Sequence, residues 1–105
     1  MHSITKKRRS PDLIRQMRDR FAEDIEAGRL DLAEAVKRMR KISGLTQAEF
    51  ARHRGVSLLT LKRIESGKSN PTVETLERIG RIFGLRVGFV RASRGQTPTA
   101  DSEQA

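Results

Sequence analysis

The 105-residue sequence contains no cysteine and no long apolar run. The lack of cysteine excludes a disulfide framework and a thiolate metal site, and it suits a reducing cytoplasm. No apolar stretch approaches the ~20 residues that a membrane-spanning helix requires. The basic N-terminus has no apolar segment behind it, so it does not have the pattern of a secretory signal. We therefore expect a cytoplasmic protein that has no contact with a membrane.

Side chains that support catalysis are equally scarce. His2 and His53 are the only histidines, and no further nitrogen or sulfur ligands stand at a spacing suited to a metal ion. Ser57 has no histidine beside it in a nucleophile motif, and a role as a helix cap accounts for it. The sequence also lacks a P-loop and a dinucleotide-binding fingerprint. These absences predict a protein that recognises a partner, and not an enzyme, with no metal and no cofactor.

Positive charge is what the sequence has in excess, with 22 lysines and arginines against 13 acidic residues and a net charge of +9. Its length allows one domain with a modest core. The excess is concentrated between residues 37 and 73, where nine basic residues stand against Glu49 and Glu65. These basic residues are Lys37, Arg38, Arg40, Lys41, Arg52, Arg54, Lys62, Arg63 and Lys68. Such a concentration is typical of a protein that binds a polyanion.

Within this basic region, the signals for helix starts and stops predict two short helices joined by a tight turn. Thr46 is a natural N-cap, and Glu49 three residues later completes a capping box. Gly55 follows the last turn of the first helix, where a positive φ is usually required. Ser57 then caps a second helix, which we expect over residues 58–66.

The second of these helices is basic on one side and apolar on the other. Leu61 and Ile64 are three residues apart and should point inward, which leaves the lysine and arginine between them facing outward. Ala51 on the first helix is small, as a close crossing of two helices requires. A helix, a glycine turn and a short basic helix are typical of the helix-turn-helix unit, whose second helix lies in a DNA groove.

Several residues at fixed spacing carry a resemblance to a known family. They are Gln47, Ala51, Gly55-Val56-Ser57, Leu61, Ile64-Glu65, Gly67 and Asn70-Pro71. On these positions the chain from Leu32 to Leu85 resembles the Cro/repressor family, also called the XRE family, and the resemblance implies a helical domain that binds DNA. Two features depart from the family pattern: Arg54 stands where leucine is usual, while Leu58 and Leu59 stand where polar residues that contact bases are more frequent.

Positions around the second helix, together with the resemblance, give the candidates for DNA contact. The candidates to contact base edges are Gln47, Ser57, Leu58, Leu59, Lys62 and Arg63. The candidates to contact the DNA backbone are Arg40, Thr46, Thr60, Lys68, Ser69 and Asn70. Lys62 or Arg63 could bind guanine O6 and N7. Leu58 or Leu59 either contact thymine methyl groups or pack against a neighbouring helix. At Thr46, the unpaired N–H groups of a helix start suit a phosphate.

A further helix precedes this domain. Ser10 and Pro11 form a helix start, and apolar residues then recur at spacings of three and four up to residue 25. The stripe consists of Ile14, Met17, Phe21 and Ile25. The sequence therefore predicts an amphipathic helix over residues 11–28, which packs either on its own domain or on a partner or a second copy.

The helix-turn-helix domain itself is predicted over residues 31–85. Asp31 caps its first helix, whose buried stripe is Leu32, Val36 and Met39 and whose basic sides either face solvent or contact the DNA backbone. Thr72 caps its last helix, with a stripe of Val73, Leu76, Ile79 and Phe83. Gly80 costs this helix ~1 kcal/mol against alanine, which indicates close packing at that position.

The two termini differ in composition from the rest. Residues 1–10 form a basic tail with Lys6, Lys7, Arg8 and Arg9, which is either a disordered terminus or an arm that touches phosphates or a minor groove. Residues 92–105 are polar, rich in small residues, and expected to be disordered.

Between the last helix and the C-terminal tail, the apolar period changes from helical to alternating. Leu85, Val87 and Phe89 alternate with Arg86 and Gly88, which predicts a strand over residues 85–91. A lone strand is not stable, so we expect two copies to pair their strands across a dimer axis, with Val87 and Phe89 at the contact. Some antitoxin repressors of the resembled family, the HipB type, dimerise in this way.

The pattern as a whole predicts an all-α, repressor-like domain of about four helices, with an extra N-terminal amphipathic helix and a short C-terminal β-strand used for dimerisation. The expected function is sequence-specific binding of double-stranded DNA by a homodimeric repressor that reads a near-palindromic operator. One alternative is an antitoxin that also neutralises a cognate toxin and regulates its own operon. Another is a protein-bridging cofactor that uses this domain without reading DNA.

Overall fold

The computed structural model describes residues 9–92, and within this range the chain is all-helical. The elements are α1 (Pro11–Glu26), α2 (Leu32–Ser43), α3 (Gln47–Arg54), α4 (Leu58–Glu65), α5 (Val73–Gly80) and a 3₁₀ turn (Arg81–Phe83). No helix in this range is both long and apolar enough to cross a bilayer. The predictions about the basic N-terminal tail up to residue 8, and about the polar C-terminal tail from residue 93, lie outside the described residues.

Each helix begins at a residue whose side chain accepts a backbone N–H from three residues further on. These N-caps are Ser10, Asp31, Thr46, Ser57 and Thr72. In α2 and α3 the acidic residue at the third position also accepts the N–H of the cap, which completes a capping box in both helices. A cap of this kind contributes ~1 kcal/mol, and it acts within one turn. The predicted helix starts are therefore confirmed.

The predicted C-terminal strand, with its role in dimerisation, is wrong: residues 9–92 contain no strand. The N–H of Leu85 instead donates to the carbonyl oxygen of Gly80 (3.1 Å) and closes the turn after α5. The N–H of Val87 donates to the carboxylate of Glu77 (3.1 Å). Of the three alternating apolar residues only Leu85 packs against the core, whereas Val87 and Phe89 are exposed. An alternating sequence forms a strand only with a ladder partner, and here the backbone bonds to α5.

The hydrophobic core receives residues from α1 to α5. It consists of Phe21, Ala35, Val36, Met39, Ile42, Phe50, Ala51, Leu61, Ile64 and Ile79. Two residues of the predicted stripes, Leu32 and Val73, are exposed. Both are the first residue of their helix, at the edge of the packed core. At Gly80 an added Cβ would lie 3.2 Å from the Cβ of Leu85, so the predicted close packing is confirmed.

The N-terminal helix α1 packs on its own domain, which decides between the two alternatives that the sequence left open. Phe21 is buried, and its ring meets that of Phe83 edge to face, with centroids 5.5 Å apart. The guanidinium group of Arg18 lies over the Phe83 ring at 4.7 Å. One turn further along the helix, Asp24 accepts hydrogen bonds from Arg29 (2.7 Å) and Arg38 (3.1 Å). These contacts fix α1 along α2.

Candidate nucleic-acid interface

The helix-turn-helix unit consists of α3, the turn at residues 55–57, and α4. Gly55 adopts a φ of 73°, which only glycine adopts without strain. Val56 donates its N–H to the carbonyl oxygen of Ala51 (3.0 Å), and this bond reverses the chain. Ala51 is 2% exposed where α3 meets α4, so the predicted small residue is buried at the helix contact. The turn therefore sets α4 at a defined angle to α3.

An arginine of α5 supports the same turn from outside. Arg78 donates from Nη1 to the carbonyl oxygen of Gly55 (3.0 Å) and from Nη2 to the carboxylate of Glu74 (3.1 Å). The sequence did not identify Arg78, because its partner lies 23 residues earlier in the chain. The contact links the turn to the helix that follows the unit.

A buried carboxylate joins three helices behind α4. Glu65 is 6% exposed and accepts hydrogen bonds from Nε (2.8 Å) and Nη2 (3.0 Å) of Arg40 in α2. It also accepts a bond from Nε2 of Gln47 in α3 (3.0 Å). The hydrogen bonds that Arg40 donates to Glu65 raise the pKa of Arg40 above its ordinary value, against the opposing effect of partial burial. Glu65 thus ties α2 and α3 to the C-terminal end of α4.

This cluster gives two sequence-predicted residues a defined place. Arg40 also donates from Nη1 to the carbonyl oxygen of Leu45 (3.3 Å), so its guanidinium group is directed into the protein. These contacts favour a positioning role for Arg40 over contact with a phosphate. Gln47 is the first residue of α3, and its side-chain amide donates to the carboxylate of Glu65. No role was predicted for Glu65 beyond its part in the family pattern; the available signal was a glutamate next to Ile64, which is buried.

The side of α4 that faces away from the core carries four exposed residues, which we call the outer face of α4. They are Leu58, Leu59, Lys62 and Arg63. Leu58 is 38% exposed and Leu59 is 58% exposed, so neither is buried against a neighbouring helix. The four positions fall on one side of a helix of 3.6 residues per turn. The structure therefore brings together four of the six residues predicted to contact bases, with two apolar and two cationic side chains.

The remaining predicted residues lie around this face. Ser57 is the N-cap of α4, and its hydroxyl donates to the hydroxyl of Thr60 (2.8 Å), which is half-buried. Thr46 is exposed at the start of α3, where its hydroxyl accepts the N–H of Glu49 (3.1 Å) and its own N–H donates to the Glu49 carboxylate (2.9 Å). The loop after α4 holds the other three: Lys68 and Asn70 are exposed, and Ser69 is half-buried.

The arrangement suits contact with an anion and offers little to a metal ion. Within residues 9–92, no three histidine, cysteine or acidic side chains come together at a spacing that could hold a metal. Cations stand on the outer face of α4 and in the loop that follows, while the start of α3 adds the partial positive charge of a helix N-terminus.

Comparisons with known proteins agree with this geometry. The sequence profile described as Helix-turn-helix matches residues 36–90. Over 52 residues, the chain is 35% identical to an uncharacterised HTH-type transcriptional regulator of Methanocaldococcus jannaschii, which covers 50% of this chain and 79% of that protein. A second uncharacterised HTH-type regulator, from Archaeoglobus fulgidus, is also 35% identical over 52 residues, covering 50% of this chain and 74% of that protein.

A third relative matches a longer part of the chain. It is the antitoxin PezA of Streptococcus pneumoniae, 34% identical over 73 residues, or 69% of this chain. The match spans 46% of PezA, so the chain corresponds to less than half of that protein. No solved structure matches the chain at a significant level.

Proposed function

Because this chain belongs to the helix-turn-helix family of the Cro/repressor (XRE) type, we propose that it is a non-enzymatic regulator of transcription that binds a specific operator and represses it. The observation that carries the proposal is the outer face of α4, with Lys62 and Arg63 beside two exposed leucines. A lysine or arginine recognises guanine O6 and N7, and an apolar side chain recognises the thymine methyl group. We infer an operator that presents both G·C and A·T pairs to this face.

Groups around α4 supply contacts to the phosphates. In this proposal the exposed start of α3 at Thr46 binds one phosphate, and Lys68, Ser69 and Asn70 bind the backbone on the other side of α4. Thr60 and Ser57 lie at the N-terminal end of α4, where a hydroxyl can reach either a phosphate or a base edge. Such phosphate contacts position the protein without reading sequence.

The experiment is to select an operator from random duplexes and to measure its binding by Lys62→Ala/Arg63→Ala. We expect the double variant to lose specific binding while its thermal unfolding is unchanged, because both side chains are exposed. Arg81→Ala/Arg86→Ala removes the same charge from exposed positions beyond α5 and should bind nearly as the wild type does. Wild-type affinity in the α4 variant would show that another surface reads the DNA.

Lys68→Ala separates backbone contact from base contact. Removal of one phosphate contact should lower the slope of log K against log salt by ~0.9 on every duplex, specific or not. If the wild-type protein shows no salt-dependent binding to any duplex, the protein-bridging alternative is favoured.

We also propose that two copies bind together. A single α4 offers few base contacts, too few for a typical specific affinity of ~10⁻⁸–10⁻¹¹ M. Two copies related by a two-fold axis would place their α4 helices in successive major grooves ~34 Å apart, on a near-palindromic operator. The apolar surface that supports this lies beyond α5, where Val87 is exposed beside Phe89 and Val90.

This surface includes an open groove of about 240 Å³. Its apolar lining comes mainly from α1, α2, α5 and the segment after α5: Ile25, Leu32, Leu76, Leu85 and Val87. Phe89 is fully exposed one residue after the lining. A two-fold contact is self-complementary. A second copy would therefore cover the groove and Phe89 of the first copy, and its own groove and Phe89 would be covered in the same way. Such a contact is made by side chains and requires no strand pairing.

A second candidate function is that of an antitoxin. The match to the antitoxin PezA extends beyond the residues of the Helix-turn-helix profile, and this observation favours it. In this proposal the chain would bind a cognate toxin as well as DNA. Co-expression with the product of the neighbouring gene, followed by co-purification and a growth assay, tests it. A neighbour that is not toxic alone, or that does not co-purify, would contradict the antitoxin function and leave the repressor function intact.

A further inference from the structure

Four arginines lie close together where the C-terminal end of α3 meets α5. They line an open hollow of about 570 Å³ and are Arg52, Arg54, Arg78 and Arg81. Among the described residues that line this hollow, Glu74 is the only acidic one. Four positive charges are therefore set against one negative charge, and we call the four residues the α3–α5 arginine cluster.

Most of this charge has no partner in the domain. Arg78 donates to the carboxylate of Glu74 (3.1 Å) and to the carbonyl oxygen of Gly55 (3.0 Å). Within residues 9–92, the side chains of the other three arginines form no hydrogen bond and no ion pair. Arg54 is half-buried, at a position where the resembled family usually has leucine. A partly buried cation loses hydration that nothing in this part of the chain replaces, so an anion bound from outside would stabilise it.

The cluster lies away from the DNA contacts proposed above. The helix α3 has eight residues and is ~12 Å long; Thr46 caps its start, and two arginines of the cluster belong to its last turn. The other two belong to α5 and the 3₁₀ turn after it. Ile79 of α5 joins Leu61 and Ile64 in the core, which lies opposite to the outer face of α4. The proposed contacts to bases and phosphates therefore do not use the cluster.

We propose that the α3–α5 arginine cluster binds an acidic segment of another protein, and that it does so while α4 holds DNA. All four cations are arginines, whose planar guanidinium group binds a carboxylate through two parallel hydrogen bonds. The hollow is open, whereas a site for a small molecule encloses most of its ligand. It therefore suits a chain of aspartate and glutamate residues that lies across the surface.

The test measures binding of a fluorescein-labelled peptide, in which glutamate alternates with glycine, to the full-length protein at near-physiological salt. Arg52→Gln/Arg81→Gln removes two exposed arginines of the cluster. We expect peptide binding to weaken roughly 5–10-fold, as for the loss of two exposed ion pairs. Thermal unfolding should be unchanged, because neither side chain is buried or paired within residues 9–92.

The matched control is Arg20→Gln/Arg91→Gln, which removes the same charge from exposed positions outside the cluster. It should bind the peptide within about twofold of the wild type. A control that loses as much affinity as the cluster variant would show an effect of net charge and overturn the proposal. A wild type that does not bind the peptide in a saturable manner would also overturn it.

A second arm distinguishes a protein partner from DNA. The cluster variant should bind the selected operator nearly as the wild type does, and the wild type already bound to operator should still bind the peptide. An operator that displaces the peptide, or a cluster variant that loses as much affinity for duplex as for peptide, would assign the cluster to DNA and overturn the proposal. A wild type that binds no operator would refute the proposed function alone, because the peptide is first measured without DNA.

Discussion

Glu65 shows at the scale of one residue how the position of α4 depends on a buried charge. Its carboxylate accepts three hydrogen bonds, two from Arg40 and one from Gln47. Removing one partner of a buried ion pair is costly, because the other charge stays buried without compensation. The side chains of Arg40 and Glu65 are 18% and 5% exposed, so solvent can replace little of what is lost.

Glu65→Gln should therefore lower the free energy of unfolding by ~3 kcal/mol and weaken operator binding as α4 loosens. Urea unfolding of the variant gives the stability, and the operator titration gives the affinity. Glu74→Gln is the control, since the Glu74–Arg78 pair is largely exposed and worth ~0–1 kcal/mol. Equal effects of the two substitutions would contradict the role assigned to Glu65.

Ala51 provides a second prediction for a single residue. Ala51→Leu should destabilise the protein by ~1–3 kcal/mol, because the contact between α3 and α4 has no room for a larger side chain. DNA binding should be lost with it. Ala48→Leu places the same side chain on the exposed side of α3 and should change neither property much. A stable Ala51→Leu variant that binds the operator would show that the helix contact is looser than described.

At the scale of elements, α1 is attached to α2 by charge as well as by its apolar stripe. Asp24 in α1 bonds to Arg29 in the following loop and to Arg38 in α2. The hydrogen bond from Arg29 is the main cause that lowers the pKa of Asp24 below its ordinary value of 3.8, and Arg38 acts in the same direction. Burial opposes both, with a smaller effect than the bond from Arg29. A depressed folded-state pKa means that the ionised carboxylate stabilises the fold.

The pH dependence of stability follows from this sign. The contribution of Asp24 is present above pH 3.8 and is lost as pH falls through its lower folded-state pKa. Asp24→Asn should therefore be less stable than the wild type near neutral pH, and the difference should shrink as the pH falls below 3.8. Thermal unfolding of both proteins across this range measures it. A difference that stays constant with pH would mean that Asp24 acts through packing and not through its charge.

At the scale of the whole molecule, the proposed dimer depends on side chains beyond α5. Val87→Ser/Phe89→Ser should weaken self-association by at least ~10-fold without unfolding the chain, because both residues are exposed. Light scattering at micromolar concentration, with operator binding on the same sample, gives both readouts. Leu59→Ser removes an exposed apolar residue from α4 instead and should remain a dimer. A monomeric wild type at that concentration would refute this contact.

The starts of the helices and the exposed side of α4 were determined by the sequence itself. Caps such as Thr46 and stops such as Gly55 act within one turn, so the residues that decide them are neighbours in the chain. The spacing of Leu61 and Ile64 likewise predicted which side of α4 would be buried. These features are local, and the structure agrees with them.

Only the tertiary structure decided the features that join distant parts of the chain. Arg40 bonds to Glu65 across 25 positions, and α1 packs through Phe21 on Phe83; neither pairing leaves a periodic signal in the sequence. The segment after α5 shows the same limit. Its alternating residues predicted a strand, but the carbonyl of Gly80 and the carboxylate of Glu77 take up its N–H groups. A strand is defined by its partner, and the partner of a backbone N–H depends on how the helices pack.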